Sequence, residues 1–568
     1  MRPLLPLARW LLDLPPPRVR SEVQATEWLP LSDGVRLATT LVRPTGAGSP
    51  RLPAVLIRTP LRARSLLSLL FARSLADAGY CVVVQECRGR YGSEGHFVPF
   101  AAEARDGHET VEWIAEQSWC DGRLALVGFG YAGFAAWAAL SRAADRVGAL
   151  VVAFAGREPY AALHPGGAFA LANGLRWGVG VGDGELVPER RLDLARGLAF
   201  RPVREADRVT LRRVEWFREW VDHPVRDSFW RALEPAVPAS PPPALLISGW
   251  FDPCLGPQLD DFAALEAAAR NGGGAAPELV VGPWLPGRPL RREKRPRTPG
   301  ALGATIAETI AFLDRHLRGE GDAPSRVRFY AGGEGRWREA EGWPPPGASA
   351  RLFYLHSGGR ANGLAGDGRL SEEAPGNGQP TDRFSYDPAD PVPTHGGSLL
   401  GRGCGRADQR AVEARDDVLC YTSEPLAADV DLAGPVRAVI YAATSTPDTD
   451  FTAKLVDVAP GGLALNLCDG LVRCRWRAGG EAPQWLEPDA VQRLEIDLWA
   501  ASWRFRAGHQ IRLEVSSSNF PRFDRNPNTR AEPGAAAAGD ATPAAQTLFH
   551  DAERASHVIL PLTPTDPR

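Results

Sequence analysis

The segment from Asp121 to Leu140 carries the strongest chemical signal in the chain. An apolar run of strand length leads into Gly128-Phe129-Gly130-Tyr131-Ala132, and an alanine-rich helical sequence follows at once. This strand–turn–helix order is typical of the sharp turn that presents a nucleophile for acyl transfer. The turn needs small residues two before and two after its centre, and Gly128 and Ala132 meet that need. The central residue is Gly130, so the sequence predicts the turn without its nucleophile.

The segments around this turn alternate between strands and helices, beginning with a hairpin at Ser32-Asp33-Gly34. Such alternation predicts a parallel sheet with helices on both faces. The predicted strands are Pro53–Thr59, Tyr80–Gln85, Arg123–Val127, Val147–Phe154, Ala244–Ser248 and Glu278–Val281. The predicted helices between them are Ser65–Ala78, Glu103–Gln117, Gln258–Arg270 and Ala304–Leu317.

Two regions depart from the alternating pattern. Residues 157 to 238 contain helical pieces rich in Trp and Arg, such as Leu211–Val221, which predict an insertion over the carboxyl ends of the strands. After Gly319 the chain consists of short β runs separated by Gly, Pro and Asp turns, which predicts a β-sandwich. A chain of 568 residues is long enough for two or three such domains.

Composition excludes several classes of protein. The formal net charge of −3 gives no sign of a nucleic-acid partner, and no apolar run reaches the length that spans a membrane. No pair of the eight Cys has the spacing of a zinc or redox site, so we expect reduced thiols, no metal, no cofactor and a cytoplasmic location. Residues 1–20 lack a clean apolar region and a cleavage site of small residues, so no signal peptide is expected. The rarity of Met and Lys beside abundant Arg and Ala is typical of GC-rich bacterial coding.

Several ordered motifs together resemble one family over nearly the whole chain, the CocE/NonD hydrolases. These motifs are Arg88–Gly95, Trp119–Gly122, Gly249-Trp250-Phe251-Asp252, Gly282-Pro283-Trp284, Asp448–Phe451 and Asn519–Thr529. The resemblance implies a serine hydrolase of esters, amides or X-Pro dipeptides. It also implies an α/β-hydrolase domain with a helical cap insertion, followed by a C-terminal β jelly-roll sandwich.

This resemblance and the changes of sequence pattern along the chain predict five segments. They are an N-terminal extension (1–21), the first part of the hydrolase domain (22–156), the cap (157–238), the second part of the hydrolase domain (239–320) and the jelly roll (321–568).

The family pattern also places the catalytic groups. The nucleophile position is Gly130, the base position after Gly-Pro-Trp-Leu is Pro286, and the acid position is Asp252. The oxyanion hole would combine the backbone N–H of Tyr131 with a Tyr hydroxyl, but the position of that Tyr is Leu61. Serine, histidine and tyrosine side chains are therefore absent together, and the resemblance implies a family member without serine-based activity.

The alternative to an inactive family member is an active acyl hydrolase or transferase whose nucleophile lies elsewhere in the chain. Cys254 and His164 are the candidates for such a rescue, although a lone His is more often a hydrogen-bonded or surface residue. Trp250 and Trp284 are expected to line the pocket, which would hold a small acyl or peptide-like ligand. The sequence does not determine the oligomeric state, and the resemblance is compatible with a homo-oligomer.

Three charged groups have alternative interpretations. Arg88, Arg90 and Glu94 favour a structural ion-pair loop over a ligand site. Asp448 and Asp450 suggest turn capping more than calcium binding. The basic run Arg288–Arg297 is expected to be a solvated face, with an acidic partner as the alternative.

Overall fold

The structure is a computed structural model that describes residues 9, 12–14, 16–45, 51–182, 185–285, 293–294, 297–298, 300–401 and 403–564. The chain folds into two compact units. The first comprises residues 1–159, 181–187 and 230–329, and the second comprises residues 160–180, 188–229 and 330–568. The predicted cap is thus divided, with most of it in the same unit as the C-terminal β-rich part. The five predicted segment boundaries stay predictions.

The first unit contains a twisted sheet whose strands follow the order β1-β2-β4-β3-β5-β6-β7-β8-β11. β1 and β2 form the predicted antiparallel hairpin, and every pair from β4 to β11 is parallel. The strands are β1 (Arg20–Pro30), β2 (Arg36–Thr45), β3 (Leu52–Thr59), β4 (Cys81–Glu86), β5 (Cys120–Phe129), β6 (Ala149–Ala153), β7 (Ala244–Gly249), β8 (Glu278–Gly282) and β11 (Val327–Ala331). A two-residue pair, β9 (Glu293–Lys294) and β10 (Arg297–Thr298), lies before the last of them.

Helices of the first unit follow the strands as predicted. They are α1 (Leu66–Asp77), α2 (Glu103–Ala115), α3 (Tyr131–Ala143), α10 (Leu255–Gly272) and α11 (Ala301–Leu313), the last continuing as a π-helical turn at Asp314–Arg318. β4, β6 and β7 are buried along their whole length, as expected of central parallel strands. Apolar residues on one face of this sheet pack with α1 and α11 into one core.

The intervening region is helical, as predicted for residues 157–238. Its helices are α4 (Pro159–Leu163), α5 (Leu171–Val181), α6 (Leu194–Ala199), α7 (Ala206–Thr210), α8 (Glu215–Asp222) and α9 (Ser228–Leu233). The predicted helix over Leu211–Val221 begins only at Glu215. Short 3-10 turns lie in this region at Pro165–Gly167, Glu189–Arg191 and Val203–Glu205, and another at Ala144–Arg146 precedes β6.

The second unit contains the predicted β-sandwich. The strands of the sandwich are β13 (Ser349–His356), β14 (Arg369–Ser371), β15 (Asp382–Tyr386), β16 (Leu419–Thr422), β17 (Val430–Thr444), β18 (Asp450–Val458), β19 (Ala464–Arg473), β20 (Gln492–Phe505), β21 (Gln510–Ser516), β22 (Ala544–Phe549) and β23 (His557–Thr563). The short strand β12 (Arg336–Ala340) precedes them in the chain and is not part of the sandwich sheet. Pairing is mostly antiparallel, in the order β15-β22-β17-β23-β13-β14-β16-β21-β18-β19, with β20 on β17. One short helix, α12 (Arg410–Glu413), and 3-10 turns at Cys474–Trp476 and Ala538–Asp540 complete it.

Asp448 and Asp450 form buried ion pairs, so the turn-capping prediction is wrong. Arg475 Nε donates to Asp448 at 2.7 Å, and Arg473 Nε and Nη2 both donate to Asp450 at 2.9 Å. The amide nitrogen of Asn526 bridges the two carboxylates at 2.7 Å each. These partners lie far from the aspartates in sequence, which is why local turn chemistry could not identify them.

Replacing Arg475 with Met is expected to reduce the free energy of unfolding by about 3–5 kcal/mol, because it leaves the carboxylate of Asp448 buried without its partner. The Arg475 guanidinium also donates to the carbonyl oxygens of Thr529 and Ala531, each at 2.8 Å. Urea unfolding measures the change. The matched control is Arg360→Met, whose exposed pair with Asp367 at 3.8 Å should contribute less than about 1 kcal/mol. Equal losses in the two variants would contradict this assignment.

Candidate functional site

The turn between β5 and α3 has the shape that the sequence predicts. β5 ends at Phe129, and α3 begins at Tyr131, so Gly130 alone forms the corner. A Cβ on Gly128 would lie 2.0 Å from the carbonyl oxygen of Ala132, which excludes every residue except glycine there. The N–H of Gly130 donates to the carbonyl of Ala153 at 2.8 Å and ties the corner to the end of β6.

Gly130 has φ 58° and ψ −129°, a backbone conformation that L-residues adopt only under strain. An added Cβ would meet no atom within 4 Å, so the position has space for a side chain and carries none. The corner therefore keeps the geometry of an exposed nucleophile while offering no hydroxyl or thiol.

Leu61, the position predicted for an oxyanion-hole tyrosine, follows β3 and presents an apolar side chain. Its N–H donates to Oγ1 of Thr59 at 3.1 Å. Leu61 and Phe129 line a cavity of about 120 Å³ together with Phe71, Ala132 and Leu302. This apolar cavity borders the residues on either side of the corner, because Gly128 and Ala132 line it.

Asp252 lies just past the carboxyl end of β7 and is 96% buried, with 4% of its surface exposed. Its Oδ1 accepts the backbone N–H of Cys254 at 2.7 Å. Burial is the main influence on this carboxyl group and raises its pKa to about 7, while the hydrogen bond from Cys254 acts in the opposite direction. The histidines described in the first unit are His96, His108 and His316, and none of them hydrogen-bonds to Asp252.

The predicted base position, Pro286, lies outside the described residues, as does most of the basic run Arg288–Arg297. Trp250 and Trp284, predicted to line the pocket, are buried at the ends of β7 and β8. The ring of Trp284 packs edge-on against Phe154 with centroids 6.1 Å apart, and Phe154 packs against Phe129 at 4.8 Å. These rings lie in a row from Phe129 to Trp284, and Phe154 and Trp284 belong to the core that packs with α1 and α11.

Comparisons with known proteins match both parts of the chain. Residues 33–285 match the X-Pro dipeptidyl-peptidase (S15) family, and residues 320–559 match the X-Pro dipeptidyl-peptidase C-terminal non-catalytic domain. A cocaine esterase of Rhodococcus sp. (strain MB1 Bresler) is 36% identical over 574 residues, covering 95% of this chain and 98% of that protein. This chain belongs to the CocE/NonD family of ester and peptide hydrolases.

Solved structures of similar proteins confirm the fold class predicted for this CocE/NonD member. An α-amino acid ester hydrolase superposes with a TM-score of 0.82 at 25% identity, over 96% of this chain and 97% of the other. An aminopeptidase from a marine sediment archaeon, Thaumarchaeota archaeon, gives a TM-score of 0.81 at 24% identity over the same shares of the two chains. The α/β-hydrolase domain and the C-terminal β-rich domain are therefore both present.

A buried polar network holds the residue that follows the corner in this CocE/NonD member. The hydroxyl of Tyr131 donates to Glu103 Oε1 at 2.9 Å and accepts the N–H of Phe100 at 2.8 Å. Arg58 donates to the other oxygen of Glu103 at 2.5 Å and to Gln85 at 2.8 Å. Sequence reasoning named the backbone of Tyr131 as an oxyanion donor and missed its phenol, because the partners are distant in sequence.

The loop with Arg88, Arg90 and Glu94 is structural, as predicted. Arg88 donates to both oxygens of Asp106 at 2.9 and 2.7 Å, and Arg90 donates to the carbonyl of Gly182 at 2.7 Å. Glu94 accepts the N–H of Arg36 at 3.0 Å. These contacts fix the loop between β4 and α2.

The two residues considered for a relocated catalytic site have other roles. Burial raises the pKa of the Cys254 thiol far above its usual value, so the thiol stays protonated. His164 is a core residue whose Nε2 faces the carbonyl of Trp220 at 2.9 Å and whose ring stacks on Tyr160. Burial lowers the pKa of His164 to about 4. Neither group has the environment of an activated nucleophile or base.

A serine, a histidine and an aspartate do meet in the second unit. Oγ of Ser357 lies 3.2 Å from Nε2 of His550, and the same nitrogen lies 2.9 Å from Oδ2 of Asp382. In a catalytic triad the carboxylate instead binds Nδ1, which here faces Gln379 at 3.1 Å. The trio is a structural cluster in which Asp382 also accepts the hydroxyl of Tyr421 at 2.7 Å.

In the part of the chain that the structure describes, no three His, Cys, Asp or Glu side chains are grouped to hold a metal ion. Among the same residues, no helix is both long and apolar enough to cross a membrane.

Replacing Gly130 with Ala is expected to reduce the free energy of unfolding by roughly 1–3 kcal/mol, because the space is open and the whole cost comes from backbone strain. Urea unfolding measures the change. The control is Gly342→Ala, since Gly342 has no atom within 4 Å of an added Cβ and no positive φ. A Gly130→Ala variant as stable as the parent would show that the corner is not held in this conformation.

Replacing Asp252 with Asn is expected to stabilise the protein above pH 7. The folded carboxyl has its pKa raised to about 7, and the unfolded carboxyl titrates near 4, so the folded state holds an extra proton between these values. The stability that this proton confers is therefore lost as pH rises from about 4 to about 7.

The neutral amide keeps the acceptor for Cys254 and removes this pH dependence. At pH 8 the gain should be at most roughly 4 kcal/mol, and it should vanish near pH 4. Urea unfolding at a series of pH values tests this. A change in stability that is constant across pH would contradict the burial of an unpaired carboxyl.

Proposed function

We propose that this member of the CocE/NonD family binds a small acyl or peptide-like ligand at the corner of β5 and α3 without hydrolysing it through a serine nucleophile. The observation that carries the proposal is Gly130. It occupies the strained corner with open space around its α-carbon and no atom that can attack a carbonyl.

Further observations support the absence of the other groups that a serine hydrolase needs, in addition to the nucleophile. Leu61 cannot supply a hydroxyl to an oxyanion, and Asp252 has no imidazole partner among the described residues of its unit. The sequence places Pro286 where the family pattern has its base. Loss of the nucleophile or the base alone costs about a millionfold in kcat in well-studied serine hydrolases.

The retained cavity supports binding. Its volume of about 120 Å³ compares with the roughly 150 Å³ of an apolar cavity known to take benzene. Leu61, Phe71 and Phe129 give it an apolar wall, which suits the hydrocarbon part of an acyl group. The open corner adjoins this cavity, so a ligand can extend from one to the other.

A reducing, cytoplasmic compartment is part of the proposal. No disulfide links the eight cysteines, and six of them are buried. Cysteines that form no disulfide are typical of proteins kept in a reducing environment.

A fluorophosphonate probe for serine hydrolases tests the proposal. The unaltered protein and the single variant Gly130→Ser should stay unlabelled, because a serine without a base and without an oxyanion hydroxyl is not activated. The combined variant Gly130→Ser, Pro286→His and Leu61→Tyr is the smallest set expected to gain labelling and turnover of p-nitrophenyl acetate.

The matched control adds Asp252→Asn to that combined variant, which should reduce any gained activity by about 10⁴-fold. Stoichiometric labelling of the unaltered chain at one residue would overturn the proposed function. Strong labelling of Gly130→Ser alone would show that a base other than residue 286 serves the corner.

A further inference from the structure

The first unit contains a second cavity, and among the described residues it shares no lining residue with the cavity beside the corner. Its walls come from the β1–β2 hairpin, from the segment between β3 and α1, and from the end of β4 with the loop that follows it. Glu185 completes the lining, and all of these residues belong to the first unit. We call this space the hairpin cavity. Its volume of about 590 Å³ lies within the roughly 300–1,000 Å³ that is typical of pockets for small ligands.

Hydrogen bonds hold two aromatic side chains of the hairpin cavity in place. Trp28 is 53% exposed, and its Nε1 donates to the carbonyl oxygen of Gly92 at 2.9 Å. The hydroxyl of Tyr91 accepts the N–H of Leu186 at 3.2 Å. Tyr91 also has φ 47°, a strained conformation for a residue with a side chain, and such strain clusters at functional sites. A ligand that enters this cavity therefore meets aromatic residues in fixed positions.

Two arginines bring positive charge to the same cavity. The guanidinium of Arg62 lies over the ring of Tyr91, 5.4 Å from its centroid, and pairs with Glu185 at 3.1 Å. Nη2 of Arg64 donates to the carbonyl oxygen of Gln24 at 2.6 Å, and in the described ranges Arg64 forms no ion pair with a carboxylate. A guanidinium has five N–H donors, so both arginines keep donors for a ligand.

The acceptors of the cavity are largely engaged already. Glu86 is buried, its Oε1 accepts the N–H of Ala63 at 2.8 Å, and its Oε2 accepts the N–H of Gly92 at 2.7 Å. Glu185 is 77% exposed, so its pair with Arg62 is weak and a carboxylate of the ligand can replace it. The remaining hydrogen-bonding capacity is mainly that of guanidinium donors, and a complementary ligand must supply acceptors.

We propose that the hairpin cavity binds a small planar aromatic carboxylate, whose ring packs against Trp28 and whose carboxylate accepts hydrogen bonds from Arg62 and Arg64. Guanidinium groups match the planar geometry of a carboxylate, and hydrogen bonds between ionised groups are about twice as strong as those between neutral groups. This site is additional to the corner at Gly130 and needs no chemical step.

Isothermal titration calorimetry of the full chain with 2-naphthoate and with 2-naphthamide tests the site. The two probes have nearly the same shape, and only 2-naphthoate is charged at pH 7. We expect 2-naphthoate to bind at least tenfold more tightly, and this preference to shrink at high salt because exposed charges are screened. Equal affinity of the two probes at low salt, or no detectable binding of 2-naphthoate at millimolar concentrations, would overturn the inference.

Single variants locate the binding to the hairpin cavity. Arg64→Gln removes a charged donor and Trp28→Ala removes the ring, so each should weaken 2-naphthoate binding by tenfold or more. Both residues are exposed, and thermal unfolding checks that each variant keeps its fold. Arg62→Gln is a second charge variant if Arg64→Gln does not fold. The matched control is Arg270→Gln, an exposed arginine of the first unit that lies 4.0 Å from Glu266, and it should bind like the parent.

Unchanged affinity for 2-naphthoate in the folded charge variant would overturn the inference, because the ligand would then bind elsewhere in the chain. Binding at the corner of β5 and α3 belongs to this outcome, since the hairpin cavity and the corner have different lining residues. Fluorophosphonate labelling reports on the corner alone, so its result does not decide whether the hairpin cavity binds an aromatic carboxylate.

Discussion

The close contact between the backbone at Gly128 and the backbone at Ala132, at the end of β5, is the constraint on which the rest of the site depends. The chain turns so sharply that Gly128 lies against the carbonyl of Ala132, and the corner at Gly130 takes a conformation unfavourable to any residue with a side chain. The turn is therefore determined by small residues and by the bond from Gly130 to Ala153, not by a nucleophile. The corner can therefore form without a nucleophile, and glycine avoids the strain that a residue with a side chain would have there.

Buried polar groups lie near the corner and at the end of β7. Tyr131, Glu103 and Arg58 still form a buried, hydrogen-bonded network behind it, and Asp252 remains buried at the end of β7. An uncompensated buried carboxyl lowers stability at neutral pH, and the hydrogen bond from the N–H of Cys254 offsets only part of that cost.

Local patterns predicted most of the fold, because the alternation of buried strands with helices is visible in windows of ten to fifteen residues. The corner was predictable for the same reason, since its small residues are contiguous. Interactions between residues distant in sequence could not be predicted from such patterns. Asp448 pairs with Arg475, and Asp450 pairs with Arg473. The phenol of Tyr131 donates a hydrogen bond to Glu103. The start of α8 at Glu215 was also missed, because Leu211 to Val214 carry the helical pattern without forming the helix. The assignment of Pro286 rests on sequence pattern alone, since it lies outside the described residues.

The central claim is that the protein has kept an acyl-transfer chamber and lost the atoms that react in it. Mass spectrometry of the intact protein, quenched during incubation with an excess of p-nitrophenyl acetate and followed by peptide mapping, tests this most directly. We expect no acetyl adduct on residues 128–132, Asp252 or Cys254. An adduct on any of these residues that forms and then disappears with turnover would contradict it.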